Sequence, residues 1–96
     1  MASWTNPAKE RLKRLHNFIA ADSPMYAKRV TQELVRKSEM LAEFPRMGRI
    51  VPELNDENIR ELLVYSYRLI YGIVDADVII LAIVHSKQDM SGGLPL

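Results

Sequence analysis

The chain has 96 residues, 26% of them charged and 48% hydrophobic, with a net charge of only +1. This is enough for one folded domain with a single core. It excludes a disordered chain, and it excludes one whose main task is coating nucleic acid. With no cysteine, thiolate catalysis, thiolate metal sites and disulfides are excluded, and a reducing cytoplasmic compartment is expected. Met1 to Pro7 lacks the basic and then apolar segments of a secretion signal, and the longest apolar run, Val78 to Val84, is too short to span a bilayer as a helix.

Ala2 to Thr5 reads as a short extended segment able to add a strand to a sheet. Asn6-Pro7 reads as the start of a helix, Asn6 accepting free backbone amides and Pro7 at the first helical position. Ala8, Leu12, Leu15 and Ile19 then recur at helical spacing to about Ala21, while the basic run of Lys9, Arg11, Lys13 and Arg14 fills a solvated face. Ser23-Pro24 repeats the punctuation. Ala27, Val30, Leu34 and Leu41 give a second apolar stripe, which Pro45 ends near Glu43, so the two helices form an antiparallel hairpin.

Phe44 to Glu53 holds two prolines and a glycine and reads as a long loop carrying Arg46, Arg49 and Glu53, with Arg49 expected to fix the loop by bonding carbonyls. Ile59 to Val64 reads as a strand, with a tight connection at Tyr65-Ser66. The centre of the fold is a buried hairpin, Tyr67 to Val74 and Val78 to His85, turning through the three residues Asp75 to Asp77. That turn pairs Val74 with Val78, and it puts the pairs Ile73 with Ile79, Tyr71 with Leu81, Leu69 with Ile83 and Tyr67 with His85 on one bulky face. The other face holds Arg68, Ile70, Gly72, Ile80, Ala82 and Val84 and looks like a groove, an assignment that one residue of slip would reverse. Residues 86–96 read as a mobile tail.

The expected class is therefore α+β: one domain over 1–96, with an N-terminal strand and an antiparallel helical hairpin on a mostly antiparallel sheet, in the order β-α-α-β-β-β. No cofactor is implied. His16 has no second ligand type nearby, so no metal site is expected.

Pro45-x-x-Gly48-Arg49, Pro52-Glu53, Ile59-Arg60-Glu61, Tyr67-Arg68-Leu69-Ile70-Tyr71 and Val84-His85 occur in order, with Trp4-Thr5-x-x-Ala8 and Ser23-Pro24-x-x-Ala27 before them. Together they resemble the ParE branch of the RelE/ParE toxin superfamily over nearly the whole chain. The resemblance implies a plasmid-stabilisation type toxin of a type II toxin-antitoxin pair. It would be neutralised by a ParD-like antitoxin and would arrest growth by binding DNA gyrase, without being a hydrolase itself.

The RelE branch instead cuts mRNA on the ribosome, and Arg60 and Arg68 occupy positions where such nucleases carry phosphate-contacting arginines. The lysines expected before the Arg60 strand are replaced by Leu54-Asn55-Asp56-Glu57-Asn58, and no tyrosine follows the last strand in Ser86 to Met90. This favours the ParE branch. The alternatives are an mRNA endonuclease using Arg60, Arg68 and His85, and an inactive interaction module. The residues assigned to partner binding are Arg49, Glu53, Arg60, Arg68, Ile80, Val84 and His85, with Arg68, Ile80 and Val84 expected on the groove that takes an apolar antitoxin segment. Arg68 has a competing reading as a structural ion pair with Glu61 or Glu53. His85 has one as a strand-end residue beside Tyr67.

Overall fold

The computed structural model describes residues 2–94. In chain order it contains β1 (Ser3–Trp4), α1 (Asn6–Ala20), α2 (Pro24–Glu43), β2 (Arg49–Ile50), β3 (Ile59–Val64), β4 (Tyr67–Val74) and β5 (Asp77–His85). The strands form one sheet in the order β1-β5-β4-β3-β2, with β1 parallel to β5 and every other pair antiparallel. Both helices cover one face. Among the described residues no helix is long and apolar enough to cross a membrane.

The helices start and stop where local chemistry dictates. Ser23 caps α2, its Oγ accepting the Tyr26 amide at 3.2 Å, and α2 ends at Glu43 one residue before Phe44-Pro45. For α1 the cap is Thr5, one residue earlier than expected: its backbone is extended and its Oγ1 accepts the Ala8 amide at 3.2 Å, which draws Asn6 into the helix. Ala8, Leu15 and Ile19 of α1 meet Ala27, Val30, Leu34 and Leu41 of α2 over Leu69, Tyr71, Val78, Ile80 and Ile83 of the sheet.

The hairpin turns through two residues, not three, since Val74 pairs with Asp77. Asp75 takes the left-handed conformation that such a turn demands, φ 57°, which a short polar side chain tolerates. Tyr71 then pairs with Ile80, Gly72 with Ile79 and Ile73 with Val78, so the three expected pairs nearest the turn are each displaced by one residue. Leu81 is an extra residue that bulges from β5 between the Tyr71–Ile80 and Ile70–Ala82 pairs. The bulge restores the expected register beyond it. Leu69–Ile83 and Tyr67–His85 therefore stand as expected, whereas Ile80 belongs to the helix-side core and not to the groove face.

Nor is the second face an open groove. Val51 and Leu54 from one side and Met90 and Leu94 from the other pack on Ile59, Ile70, Ala82 and Val84, forming a second small core. The segment after His85, expected to be a mobile tail, crosses this face with Met90 buried. The Phe44 to Glu53 loop contributes β2 as a two-residue edge strand, Arg49 opposite Glu61 and Ile50 opposite Arg60.

Candidate functional site

The second face is built around one guanidinium. Arg68 lies in β4 and is 4% exposed. Its Nε donates to Glu61 Oε1 at 2.7 Å, and its Nη1 and Nη2 bind both oxygens of Glu53 at 2.8 and 2.7 Å. Nη1 also donates to the Gln88 carbonyl at 3.0 Å, and Nη2 reaches Glu61 as well. All five donors of the group are thereby engaged.

Glu61, beside Arg68 on β3, is 1% exposed and takes a second cation on its other oxygen, Arg49 Nε at 2.6 Å. Glu53 Oε2 also accepts the Met90 amide at 3.2 Å. The chain Arg49–Glu61–Arg68–Glu53 thus balances two positive and two negative charges and ties the tail across the sheet. Arg49 does not serve loop carbonyls. It neutralises Glu61 at the rim, with its side chain 64% exposed.

Hydrogen bonds from Arg68 hold the Glu53 carboxyl down at about 2, well below the usual carboxylate range, and its carboxylate partners raise the Arg68 pKa in turn. The depressed Glu53 value stabilises the fold at any pH above the unfolded-state value of roughly 4.3, and this contribution is lost as pH falls through about 2. Between about pH 5 and pH 2 the urea midpoint is therefore expected to fall more steeply for the natural chain than for Glu53→Gln, which has no carboxylate there to protonate. Equal slopes in Trp4 fluorescence titrations would contradict this assignment.

Beside this cluster, Tyr71 reaches from β4 into the loop before β2. Its hydroxyl donates to the Pro45 carbonyl at 2.6 Å and accepts the Gly48 amide at 3.0 Å, while Arg60 Nη1 donates to the Gly48 carbonyl at 3.0 Å. Burial pushes the Tyr71 pKa up and so keeps the donor proton in place. The Pro45-x-x-Gly48-Arg49 fragment is therefore a bracket: Pro45 and Gly48 clasp Tyr71, and Arg49 reaches Glu61.

Arg49, Glu53 and Arg68 meet in this cluster with Val84 paired to Arg68, but Arg60, Ile80 and His85 stand apart from it. Arg60 stands opposite Tyr71 and Arg68 opposite Leu63, so the even turn at Tyr65-Ser66 places them on opposite faces of the sheet. Arg60 Nε also binds the Glu57 carbonyl at 3.0 Å. His85 is exposed at the far end of β5, its ring edge-on to Tyr67 at a centroid separation of 6.0 Å. Tyr67 and Tyr71 are four positions apart on β4, roughly 13 Å at the usual strand rise, so one phosphate cannot reach both Arg60 and His85. Ile80 is fully buried under the helices. Among the described residues no group of three or more His, Cys, Asp and Glu side chains gathers as a metal site.

One feature escaped the sequence reading. β1 pairs only with Ile79 and Ile80, so the outer edge of β5 from Leu81 onwards has no strand neighbour among the described residues. Arg11 of α1 donates its Nε to the Ile83 carbonyl there at 3.1 Å, and Pro7, Arg14, Leu81, Val84 and Gln88 line a slot beside it. A side chain that satisfies an edge carbonyl guards the edge against unwanted strands. The brevity of the first extended segment was the available signal.

Fold and site together define a small α+β domain whose most distinctive side chains are locked into its own scaffold. The family model for the ParE toxin of the type II toxin-antitoxin system parDE matches residues 2–90, and the chain belongs to that family. Toxin RelE2 of Caulobacter vibrioides is 32% identical over 86 residues, which cover 88% of this chain and 93% of that protein. The fold is that of a chain in the structure described as the chromosomal ParDE TA system from P. aeruginosa. The TM-score is 0.71 at 20% identity, covering 91% of this chain and 98% of that one.

Proposed function

We propose that this toxin arrests growth by binding DNA gyrase and not by cutting RNA, and that a ParD-like antitoxin neutralises it. The observation that carries this reading is the engagement of Arg68. Stabilising a scissile phosphate requires free donors aimed at the charge that develops, with acid and base groups within hydrogen-bond reach of the same atoms. Here the five donors of Arg68 are occupied by Glu53, Glu61 and Gln88, and Arg60 and His85 lie elsewhere. Membership of the ParE family supports gyrase as the target, which is what the resemblance to the ParE branch implies. The name of the Caulobacter relative supports a second reading, the ribosome-dependent mRNA endonuclease.

The antitoxin is assigned to the open edge of β5. An extended segment can pair with backbone groups there and displace the Arg11 side chain from Ile83, and Val84 of the expected partner-binding set lines the same slot. Expression of the chain alone is expected to stop growth, with plasmids recovered relaxed and transcripts intact, and co-expression of the cognate antitoxin is expected to restore division. New transcript ends within codons, with unaltered plasmid topology, would replace this reading with the nuclease.

A further inference from the structure

At the end of the sheet where β3 turns into β4, the turn residue Tyr65 has φ 54°. Left-handed backbone is uncommon for a bulky residue, and Asn or Gly adopts it with less strain. The phenol is not there to fill the core, for Tyr65 is 49% exposed. It lies edge-on against Tyr26 of α2, with ring centroids 6.0 Å apart and planes at 69°. Next to the pair, Met25 is 74% exposed, the largest exposed aliphatic side chain on that helix.

Around these three apolar groups α2 arranges its cations. Lys28, Arg29 and Arg36 line the same shallow concavity as Met25 and Tyr65, with Glu33 as the one carboxylate in it. Glu33 is already bound to Arg36, whose Nη2 donates to it at 3.0 Å. Among the described residues Lys28 and Arg29 have no carboxylate within ion-pair distance. An apolar centre with a cationic rim is the arrangement of a protein-binding surface, in which aromatic residues and Met supply the contact and charges select the partner.

We infer that Met25, Tyr26 and Tyr65, rimmed by Lys28 and Arg29, dock an acidic segment of a protein partner that carries one large apolar anchor. The anchor sits between Met25 and the two rings, and flanking carboxylates meet Lys28 and Arg29. A nucleic acid fits less well. The two rings are nearly perpendicular and offer successive bases no stacked platform, Glu33 faces the phosphates, and the whole chain carries a net charge of only +1. The surface is separate from the β5 edge assigned to the antitoxin, and it does not depend on gyrase being the target.

The test is a 15N NMR titration of the full chain with a twelve-residue peptide of Asp and Glu bearing a single Trp, run beside a ten-nucleotide oligothymidylate. Shifts confined to Met25, Tyr26, Lys28, Arg29, Gln32 and Tyr65 are expected with the peptide, and Lys28→Glu with Arg29→Glu should weaken binding at least tenfold. Tyr65→Asn separates docking from structure: it relieves the backbone conformation, so it should melt at or above the natural chain while binding the peptide at least fivefold more weakly. The inference is overturned by any of three results: no peptide binding or shifts at Arg11 and Arg14 instead, unchanged affinity in Tyr65→Asn, or tighter binding of the oligothymidylate at the same residues.

Discussion

Arg68→Ala is expected to destabilise the domain by about 3–5 kcal/mol, the cost of removing one partner from a buried charge pair. For a domain of this size that lowers the melting temperature by roughly 12–40 °C. The substitution leaves Glu61, 1% exposed, with only the rim cation Arg49, and it deprives Glu53 of both its guanidinium bonds. It also releases the Gln88 carbonyl, so the Met90 segment loses one of its two ties to the cluster. Replacing all four charges by packed apolar side chains should cost far less than removing Arg68 alone, because no carboxylate is then stranded. Differential scanning calorimetry distinguishes this from a site role: a loss of toxicity in Arg68→Ala without a fall in melting temperature would contradict it. A nuclease assay on that variant would mostly report unfolding.

Gly48→Ala is expected to cost about 3 kcal/mol, a large effect for the addition of one methyl. A Cβ on residue 48 would lie 2.5 Å from the Glu61 carbonyl oxygen and 2.6 Å from the Tyr71 hydroxyl. The first of these is backbone and cannot rotate away. Relief requires β2 to move off β3, and overpacking of this kind commonly costs about 1–3 kcal/mol. The Tyr71 hydroxyl would also lose the Gly48 amide, a bond whose deletion adds about 1 kcal/mol. Since the same hydroxyl is involved, Gly48→Ala and Tyr71→Phe should be non-additive in urea denaturation, the pair costing less than the sum. Strict additivity would mean that Tyr71 does not feel the added methyl.

Both sites show how far the sequence could be read. The helices, β3 and the hairpin strands were legible because each is set by local chemistry: a capping Ser or Thr before Pro or Asn, an apolar stripe at helical spacing, β-branched runs. The register near the hairpin turn was not, because a turn shortened by one residue and a bulge at Leu81 cancel in the far half and leave no mark on the hydrophobic pattern. That cancellation moved Ile80 from the expected groove into the main core. The cover over the second face was hidden for another reason: Met90 is a single apolar residue in a polar stretch, and what holds it is a backbone amide on Glu53, which side-chain pattern does not reveal. The ion pairing of Arg68 with Glu61 and Glu53 was readable as one of two options. That both pair at once, and so engage every donor, follows only from the geometry.

The same cluster bears on how the family fragments relate to function. Pro45, Gly48, Arg49, Glu53, Glu61, Arg68 and Tyr71 are joined in one network of bonds that holds loop, sheet and tail together. The fragments that carry the resemblance from Pro45 to Tyr71 thus contribute largely scaffold. The surfaces proposed for partners, the β5 edge and the α2 face beside Tyr65, lie outside this network.

The most direct test of the binding reading is a supercoiling assay with purified gyrase and added toxin, run beside a ribosome-programmed mRNA cleavage assay with the same preparation. Loss of supercoiling, or trapped gyrase-DNA cleavage complexes, with the mRNA left intact is the predicted result. Cut mRNA with gyrase unaffected would contradict it, and would require Arg68 to leave its carboxylates and turn to the RNA.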